Sequence, residues 1–461
     1  MSSGSNNQEV NTPFRDIRRA SSGQLAKRAW WIIALNFLIP GSAQVLAGNR
    51  RIGRIGILFT LAFWGFLVLV VLLSLISKLA LFTILLNPFI AIPIGILFIC
   101  YAALIAYLSF DSLRLMKLSI VESRGKPVMI VLLLVTAITA SFVTGTIGST
   151  ALTATNLING MFVNSGSLEQ HKGRYNILLI GGDSGSNRFG LRPDSISVLS
   201  ISAETGNAVN IGLPRNLTRI QFTPGSPIKK VYPYGYNHDC GGPCLLNAIY
   251  KSTMDNYKYL YPDAKKRGST AGMEATKSAV QWVTGLKIDA YVMINMKSFV
   301  GLIDAIGGIE VNVKKPLPIG GQIDCVDADN EHGSICPDAM GWIEKGKQHM
   351  DGRTALWYAR SRHNTNDYDR MRRQREVENI VLKKIDLPTL LFRFGAIAGA
   401  GAKLVTTDIP AGDVPKLMDL AFKAKSKGLK SLQLSYPVIQ ADNPDFWLMR
   451  HLIAEKLRKY N

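Results

Sequence analysis

Between Tyr358 and Arg375 the run YARSRHNTNDYDRMRRQR carries six arginines in 18 residues. Arginine presents a planar fork of donors that grips phosphate oxygens two at a time. Upstream, NILLIGGDSGSNRFGLRPDSISVLSI holds Asp183 and Asp194, hard oxygen ligands of the kind that magnesium, or manganese in its place, accepts. Guanidiniums beside paired carboxylates point to phosphate chemistry, in which a bound cation and the arginines offset the charge on a leaving phosphate. An aspartate beside Gly, Ser or Pro is more often a turn or cap, so neither carboxylate is decisive alone.

Position sorts the arginines. Arg360 and Arg362 alternate along an expected extended piece and so share a face. Arg370, Arg373 and Gln374 fall at i, i+3 and i+4 of a following helix and share one side, with Asp367 or Asp369 placed to cap its start. Arg372 and Arg375 point elsewhere and read as solvated. A pyrophosphate held by few positive groups does not recover its lost hydration, so Arg192, beside Asp194, and Arg215, in GLPRN, are expected to complete the ring. The expected metal ligands are Asp183 and Asp194; these two and Arg215 are the expected catalytic residues. Metal ligation and proton abstraction by either carboxylate stay open. The sequence has no GxSxG elbow, P-loop or HExxH, so a direct attack of an acceptor hydroxyl on phosphorus is the expected route. A basic face that merely meets anionic polymer is the plainer alternative.

The elements that must position these groups read as short β-branched runs bounded by Gly, Pro and Asp, at 175–180, 195–201, 208–213, 290–294 and 309–313. Helical stretches at 244–256, 273–284, 296–306 and 370–384 interleave with them. The pattern predicts an α/β fold, a central mixed β-sheet flanked by helices. Residues 386–461 read as a helix after Leu387, a turn around 408–410, a helix through Lys425, a strand near 432–436 and a final helix near Pro444, all packing on the same domain. Apolar stretches at 292–294, 299–306 and 380–382 are candidates to line a groove for a lipid tail, although core packing explains each as well.

An all-α transmembrane region precedes this domain. Spans are expected at 55–76, 90–110 and 128–147, each close to the roughly 20 apolar residues a bilayer requires. A fourth stretch, 29–47, is interrupted by Pro40 and Gly41 and is expected to dip and return. Basic residues Arg15, Arg18, Arg19, Lys27 and Arg28, then Arg50, Arg51 and Arg54, and the loop with Arg114, Lys117, Arg124 and Lys126 mark the cytoplasmic side. The expected organisation is a cytoplasmic tail (1–28), a membrane region (29–148), a linker (149–174) and an outer domain (175–461), with four crossings as the alternative. Of 461 residues, 53 are Lys or Arg and 33 Asp or Glu, a formal charge of +20. On an exported domain this charge draws anionic lipid or wall polymer rather than nucleic acid.

Cys100 falls in a span, as inert packing; Cys240, Cys244, Cys325 and Cys336 fall in the outer domain. Four cysteines allow three pairings, and proximity favours Cys240 with Cys244 and Cys325 with Cys336. A zinc site using His238 or His332 is the rival, but the spacing matches no common zinc pattern.

The motifs NILLIGGDS, RPDS, GLPRN, LLNAIY, DAYVMINMKSFVGLIDAIGGIEVNV, DGRTALWYARSRHN and DYDRMRRQREVENIVLKKI run in an order that resembles the LytR-CpsA-Psr family of envelope phosphotransferases, in a membrane-anchored form, over roughly residues 175–385. The resemblance implies transfer of a glycopolymer from an undecaprenyl pyrophosphate carrier to a cell-wall acceptor, usually a peptidoglycan hydroxyl. It also implies a multi-pass cell-membrane protein. One departure is Asn216 where the family's PRD triplet has a carboxylate, which puts the local charge balance in doubt. A non-catalytic receptor for polyprenyl pyrophosphate or anionic polymer, regulating wall assembly, is the competing expectation.

Overall fold

The computed structural model describes residues 22–118, 125–163, 166–183, 192–320, 325–327, 332, 334–361, 363, 367–384 and 405–460. The chain divides into two compact units, Met1–Thr155 and Asn156–Asn461.

The first unit is helical: α1 (Ser22–Leu38), α2 (Ser42–Ala47), α3 (Arg50–Ile76), α4 (Lys78–Leu86), α5 (Pro88–Met116) and α6 (Lys126–Met161). Three helices, Arg50–Ile76, Pro88–Met116 and Lys126–Thr153, are long and apolar enough to cross a membrane. At 17 and six residues, α1 and α2 are each shorter than a span. The break between them is Pro40–Gly41, with Gly41 at φ 101°. A Cβ there would stand 2.6 Å from the Gly53 carbonyl oxygen, so only glycine permits both the left-handed turn and the close approach to α3. The polar residues that weaken this segment as a span have partners on α5. Asn36 donates to Ser109 Oγ at 3.0 Å and Gln44 to Ser112 Oγ at 3.1 Å, which satisfies polar groups that lipid could not.

The second unit is built on a six-stranded sheet from β1 (Arg174–Asp183), β2 (Arg192–Ser202), β3 (Ala208–Leu213) and β4 (Ala290–Asn295) with two late strands. Helices α7 (Ile249–Asn256), α8 (Ala271–Thr284) and α9 (Met296–Ala305) cover it. Small two-stranded ribbons follow, from β5 (Ile309–Val313), β6 (Leu317–Gly320), β7 (Val326–Asp327), β8 (Ser334–Ile335), β9 (Ala339–Ile343) and β10 (Gly346–Met350). Then come α10 (Gly352–Arg360), α11 (Asp367–Lys384), β11 (Val405–Thr407), α12 (Val414–Lys427), β12 (Lys430–Gln433) and α13 (Phe446–Lys459). The sheet order is β11-β4-β1-β2-β3-β12. It is mixed: β1 pairs antiparallel with β2 and parallel with β4, and β12 lies parallel to β3.

Both faces of the sheet are buried: β1 is apolar from Ile177 to Ile180, while β2 and β3 interleave apolar residues with the buried polar residues Ser197, Ser200 and Asn210. Leu178 and Ile180 of β1 pack with Ala279 and Val283 of α8 and Met449 of α13, while Ile177 packs with Leu420 and Ala424 of α12 on the opposite side. The expected strand 309–313 forms, but it pairs with β10 outside the main sheet. Both sheet edges come from the C-terminal stretch, which thus contributes strands to the sheet as well as the helices α12 and α13 that pack on it. The helix expected after Leu387 lies outside the described residues.

Candidate active site

The β1–β2 ladder is regular from Arg174 to Gly181, where Gly181 faces Ser195; one step later Gly182 faces Pro193. Asp194 is thereby left opposite no residue. It is the extra residue of a β-bulge, a device that re-aims a side chain away from the strand's alternation. A Cβ on Gly181 would stand 3.2 Å from the Ser195 Cβ, so glycine lets the strands close here. The ladder ends with Asp183 opposite Arg192, which brings the backbones of both expected metal ligands, and of Arg192, to one end of the sheet.

Arg215, two residues beyond β3, donates from Nη1 to Asp194 Oδ1 at 2.5 Å. From α11, Arg370 brings its own Nη1 to 3.8 Å of the same oxygen although its side chain is only 3% exposed. Asp194 and Arg360 line one cleft together with Gln374. Arg215 and Arg370 converge on one oxygen of Asp194 and Arg360 lines the cleft beside it, so the site offers guanidiniums to an anion, an attraction that burial strengthens. Asn216 is exposed, and the carboxylate that Arg215 lacks beside it in sequence is supplied by Asp194.

The cleft, of about 190 Å³, is apolar behind this mouth: Leu179, Val292, Ile294, Phe299 and Val377 line it. Of the stretches expected to form a groove, 292–294 and Phe299 do so. Ile303 is core beneath α9, and Ile380 packs against that same core.

Several expectations are corrected. Arg360 ends a helix, not an extended piece; Arg362 lies outside the described residues. Arg373 joins neither Gln374 in the cleft nor Arg370 at Asp194. Its Nε donates to the Tyr358 carbonyl at 2.9 Å and its Nη2 to the Ser361 carbonyl, so it secures the C-terminal end of α10, where Arg360 sits. Burial lowers its pKa, with the Tyr358 and Asp369 charges opposing that shift. Arg375 is not solvated: it is 8% exposed and bonds Glu378 Oε2 at 2.9 Å and the Ile196 carbonyl at 3.3 Å. Gly212 makes room for it, since a Cβ there would meet its Nη2 at 2.4 Å. Arg372, by contrast, is exposed and paired with Asp369 at 2.7 Å.

Glu378 was not expected. It lines the cleft, accepts from Ser195 Oγ at 3.3 Å and from Asn210 Nδ2 at 2.8 Å, and ties α11 to β2 and β3. The signal was present, because Glu378 continues the four-residue step from Arg370 through Gln374.

Cys240 is bonded to Cys244 and Cys325 to Cys336, which removes the thiolates a zinc site would need. His332 instead stacks on Trp342 with ring centroids 4.0 Å apart.

The model of the LytR_cpsA_psr family matches residues 142–461. The chain belongs to this family. Its similarity to individual members is modest. It is 28% identical over 268 residues to Biofilm regulatory protein A of Streptococcus mutans, covering 56% of each chain. It is 26% identical over 258 residues to the polyisoprenyl-teichoic acid–peptidoglycan teichoic acid transferase TagU of Oceanobacillus iheyensis, covering 55% of this chain and 63% of that one. To the cell wall biosynthesis protein LcpA of Corynebacterium glutamicum it is 26% identical over 278 residues, covering 55% and 48%. The chain thus spans about half to two thirds of these relatives' length. Among solved family structures, protein gbs0355 of Streptococcus agalactiae aligns with TM-score 0.44 at 24% identity, covering 63% of this chain and 92% of that one. Bacillus subtilis TagV aligns with TM-score 0.41 at 20% identity, covering 63% and 98%.

Proposed function

We propose that this family member is a membrane-anchored phosphotransferase that moves a glycopolymer from an undecaprenyl-pyrophosphate carrier to a cell-wall acceptor hydroxyl, peptidoglycan foremost. The observation that carries the reading is Asp194, which lines an apolar cleft with Arg360 while Arg215 and Arg370 close on its carboxylate. A polyprenyl pyrophosphate has that same division: a dianionic head and a hydrocarbon tail. The names of the TagU relatives, which specify a polyisoprenyl donor and a peptidoglycan acceptor, agree with it.

In this reading Arg215, Arg360 and Arg370 hold the pyrophosphate, and the cleft holds the first part of the tail. The acceptor oxygen attacks the phosphorus nearest the sugar, the bond from that phosphorus to the bridging oxygen breaks, and polyprenyl phosphate leaves with the electron pair. The acceptor proton passes to a base, for which Asp194 is the candidate by position. Positive charge fixed in advance is worth most where negative charge grows.

The donor set suits a hard divalent cation. Asp194 Oδ1 takes the arginine contacts and its other oxygen has no partner among the described residues. Asp183 stands at the facing strand end. Magnesium or manganese held there would screen the departing phosphate. In this reading the three candidate spans cross the membrane with the basic loops inside, and the second unit works outside the cell.

The test is the full chain in detergent with a lipid-linked saccharide, peptidoglycan and magnesium. Transfer with release of polyprenyl phosphate is the expected result. Tight carrier binding with neither transfer nor pyrophosphate cleavage would establish a receptor instead.

A further inference from the structure

The face of α11 turned away from the cleft borders a second and larger cavity, of about 1120 Å³. Its walls come from α11, from the turn after β5 and from the segment of β12 that runs on to Tyr436. The charges there do not cancel. Of the two acids, Asp369 is paired with Arg372 at 2.7 Å and Glu376 accepts the Tyr358 hydroxyl at 2.7 Å. Lys314, Lys315 and Lys383 also line it, and none of the three has an acidic partner among the described residues.

Two further features separate this wall from a plain basic surface. Tyr368 and Tyr436 lie side by side with ring centroids 5.8 Å apart, and Tyr436 is 60% exposed, so the pair offers aromatic surface on which a sugar ring can stack. The amides of Asn379 and Gln433 each present a buried atom with no hydrogen-bond partner among the described residues, Oδ1 of the first and Nε2 of the second. Gln433 is turned that way by Arg375, whose Nε donates to its Oε1 at 3.4 Å. An orphan acceptor and an orphan donor each cost stability unless a ligand satisfies them. Hydroxyl groups, which donate and accept at once, suit both.

We propose that this cavity binds an anionic saccharide, with sugar rings on Tyr368 and Tyr436, hydroxyls on Asn379 and Gln433, and carboxylate or phosphate groups on Lys314, Lys315 and Lys383. The site is separate from the transfer cluster, and its binding does not depend on the proposed activity. The ligand is either the outer sugars of the donor or the acceptor strand.

The experiment is titration calorimetry on the full chain in detergent with three probes: hexagalacturonate, neutral maltohexaose and sugar-free tripolyphosphate. Hexagalacturonate is expected to bind tightest. Lys314→Glu and Lys383→Glu, both at exposed positions, are each expected to weaken it about tenfold, the worth of one charge-assisted contact. Tyr436→Ala is expected to weaken it about fivefold, and Asp194→Ala to leave it unchanged. The proposal is overturned if Lys314→Glu weakens tripolyphosphate binding as much as it weakens hexagalacturonate binding, if the lysine and tyrosine variants bind hexagalacturonate like the parent, or if Asp194→Ala abolishes that binding. In transfer assays Lys314→Glu raises KM for the donor if its outer sugars occupy the cavity, and KM for peptidoglycan if the acceptor does.

Discussion

Arg370 buries its guanidinium 3.8 Å from the carboxylate of Asp194, the bulged residue of β2. Arg215 also holds that carboxylate, at 2.5 Å, so removing Arg370 does not leave Asp194 unpaired. Replacing a buried charge with an apolar group of similar size is often neutral or favourable. Arg370→Met is therefore expected to keep or raise the melting temperature while transfer falls by about 10²–10³-fold, the usual worth of one preorganised donor to a growing anion. Arg370→Lys should restore little, because an ammonium lacks the two-pronged geometry. A parallel loss of stability and activity in Arg370→Met would refute the assignment.

Arg375 makes the opposite prediction. It is buried against Ile196 and paired with Glu378, which in turn holds Ser195 and Asn210. Removing it strands a half-buried carboxylate between two strands. Arg375→Ala is expected to cost about 3 kcal/mol in urea unfolding. Arg372→Ala, whose side chain is 71% exposed, should stay within about 0.5 kcal/mol. Equal effects of the two would show that Arg375 is not part of the packed interior.

Helical spacing put Arg370 and Gln374 on one side correctly, because a period of 3.6 fixes angles between side chains. It does not say which side is buried, and so Arg375 read as surface. The central strands were legible through their β-branched runs, whereas α10 was not: its RTALWYAR stretch is half polar and ends in the very arginines that drew attention for other reasons. The β-bulge at Asp194 leaves no trace in composition, since register is a relation between two strands. The strand expected near 432–436 forms slightly earlier, as β12 at Lys430–Gln433, whereas the three-residue β11 is too short to carry a periodic pattern.

Asp351 caps the helix that ends in Arg360, accepting the Thr354 backbone N–H at 2.7 Å. That hydrogen bond, joined by one from the Thr354 side chain, holds its carboxyl below the ordinary range. A depressed carboxylate pKa adds stability above the unfolded value and loses it as pH falls through the folded value. Asp351→Ala is expected to cost about 1 kcal/mol at neutral pH. The gap between variant and parent should close on acidification; a gap that persists at the acid limit would mean the cap acts through packing instead.

The paired cysteines test topology. If the second unit lies outside, a membrane-impermeant maleimide added to intact cells should label Cys240 and Cys244 only after an impermeant reductant. Labelling that requires permeabilised cells would reverse the orientation. Each bridge also restrains the unfolded chain, more so for the longer loop. Replacing Cys325 and Cys336, 11 residues apart, with serine should cost about 3 kcal/mol, and the pair four residues apart about 2 kcal/mol.

The apolar cleft makes the sharpest claim about the donor. Ile294 lines it from the end of β4, beside Asn295, which caps α9 through its bond from Ser298 N–H at 2.9 Å. Each methylene taken out of water contributes about 0.8 kcal/mol, so one isoprene unit seated in the cleft is worth several-fold to hundreds-fold in affinity. The parent protein should therefore show a lower KM for an undecaprenyl donor than for a methyl-pyrophosphate donor bearing the same saccharide, with similar kcat, because the arginines that face the reacting phosphorus see the same head group. Ile294→Trp fills the cleft and should raise KM for the undecaprenyl donor while leaving the methyl donor nearly untouched. A parent that treats both donors alike, or a variant that slows both equally, would place the lipid tail somewhere other than between β4 and α11.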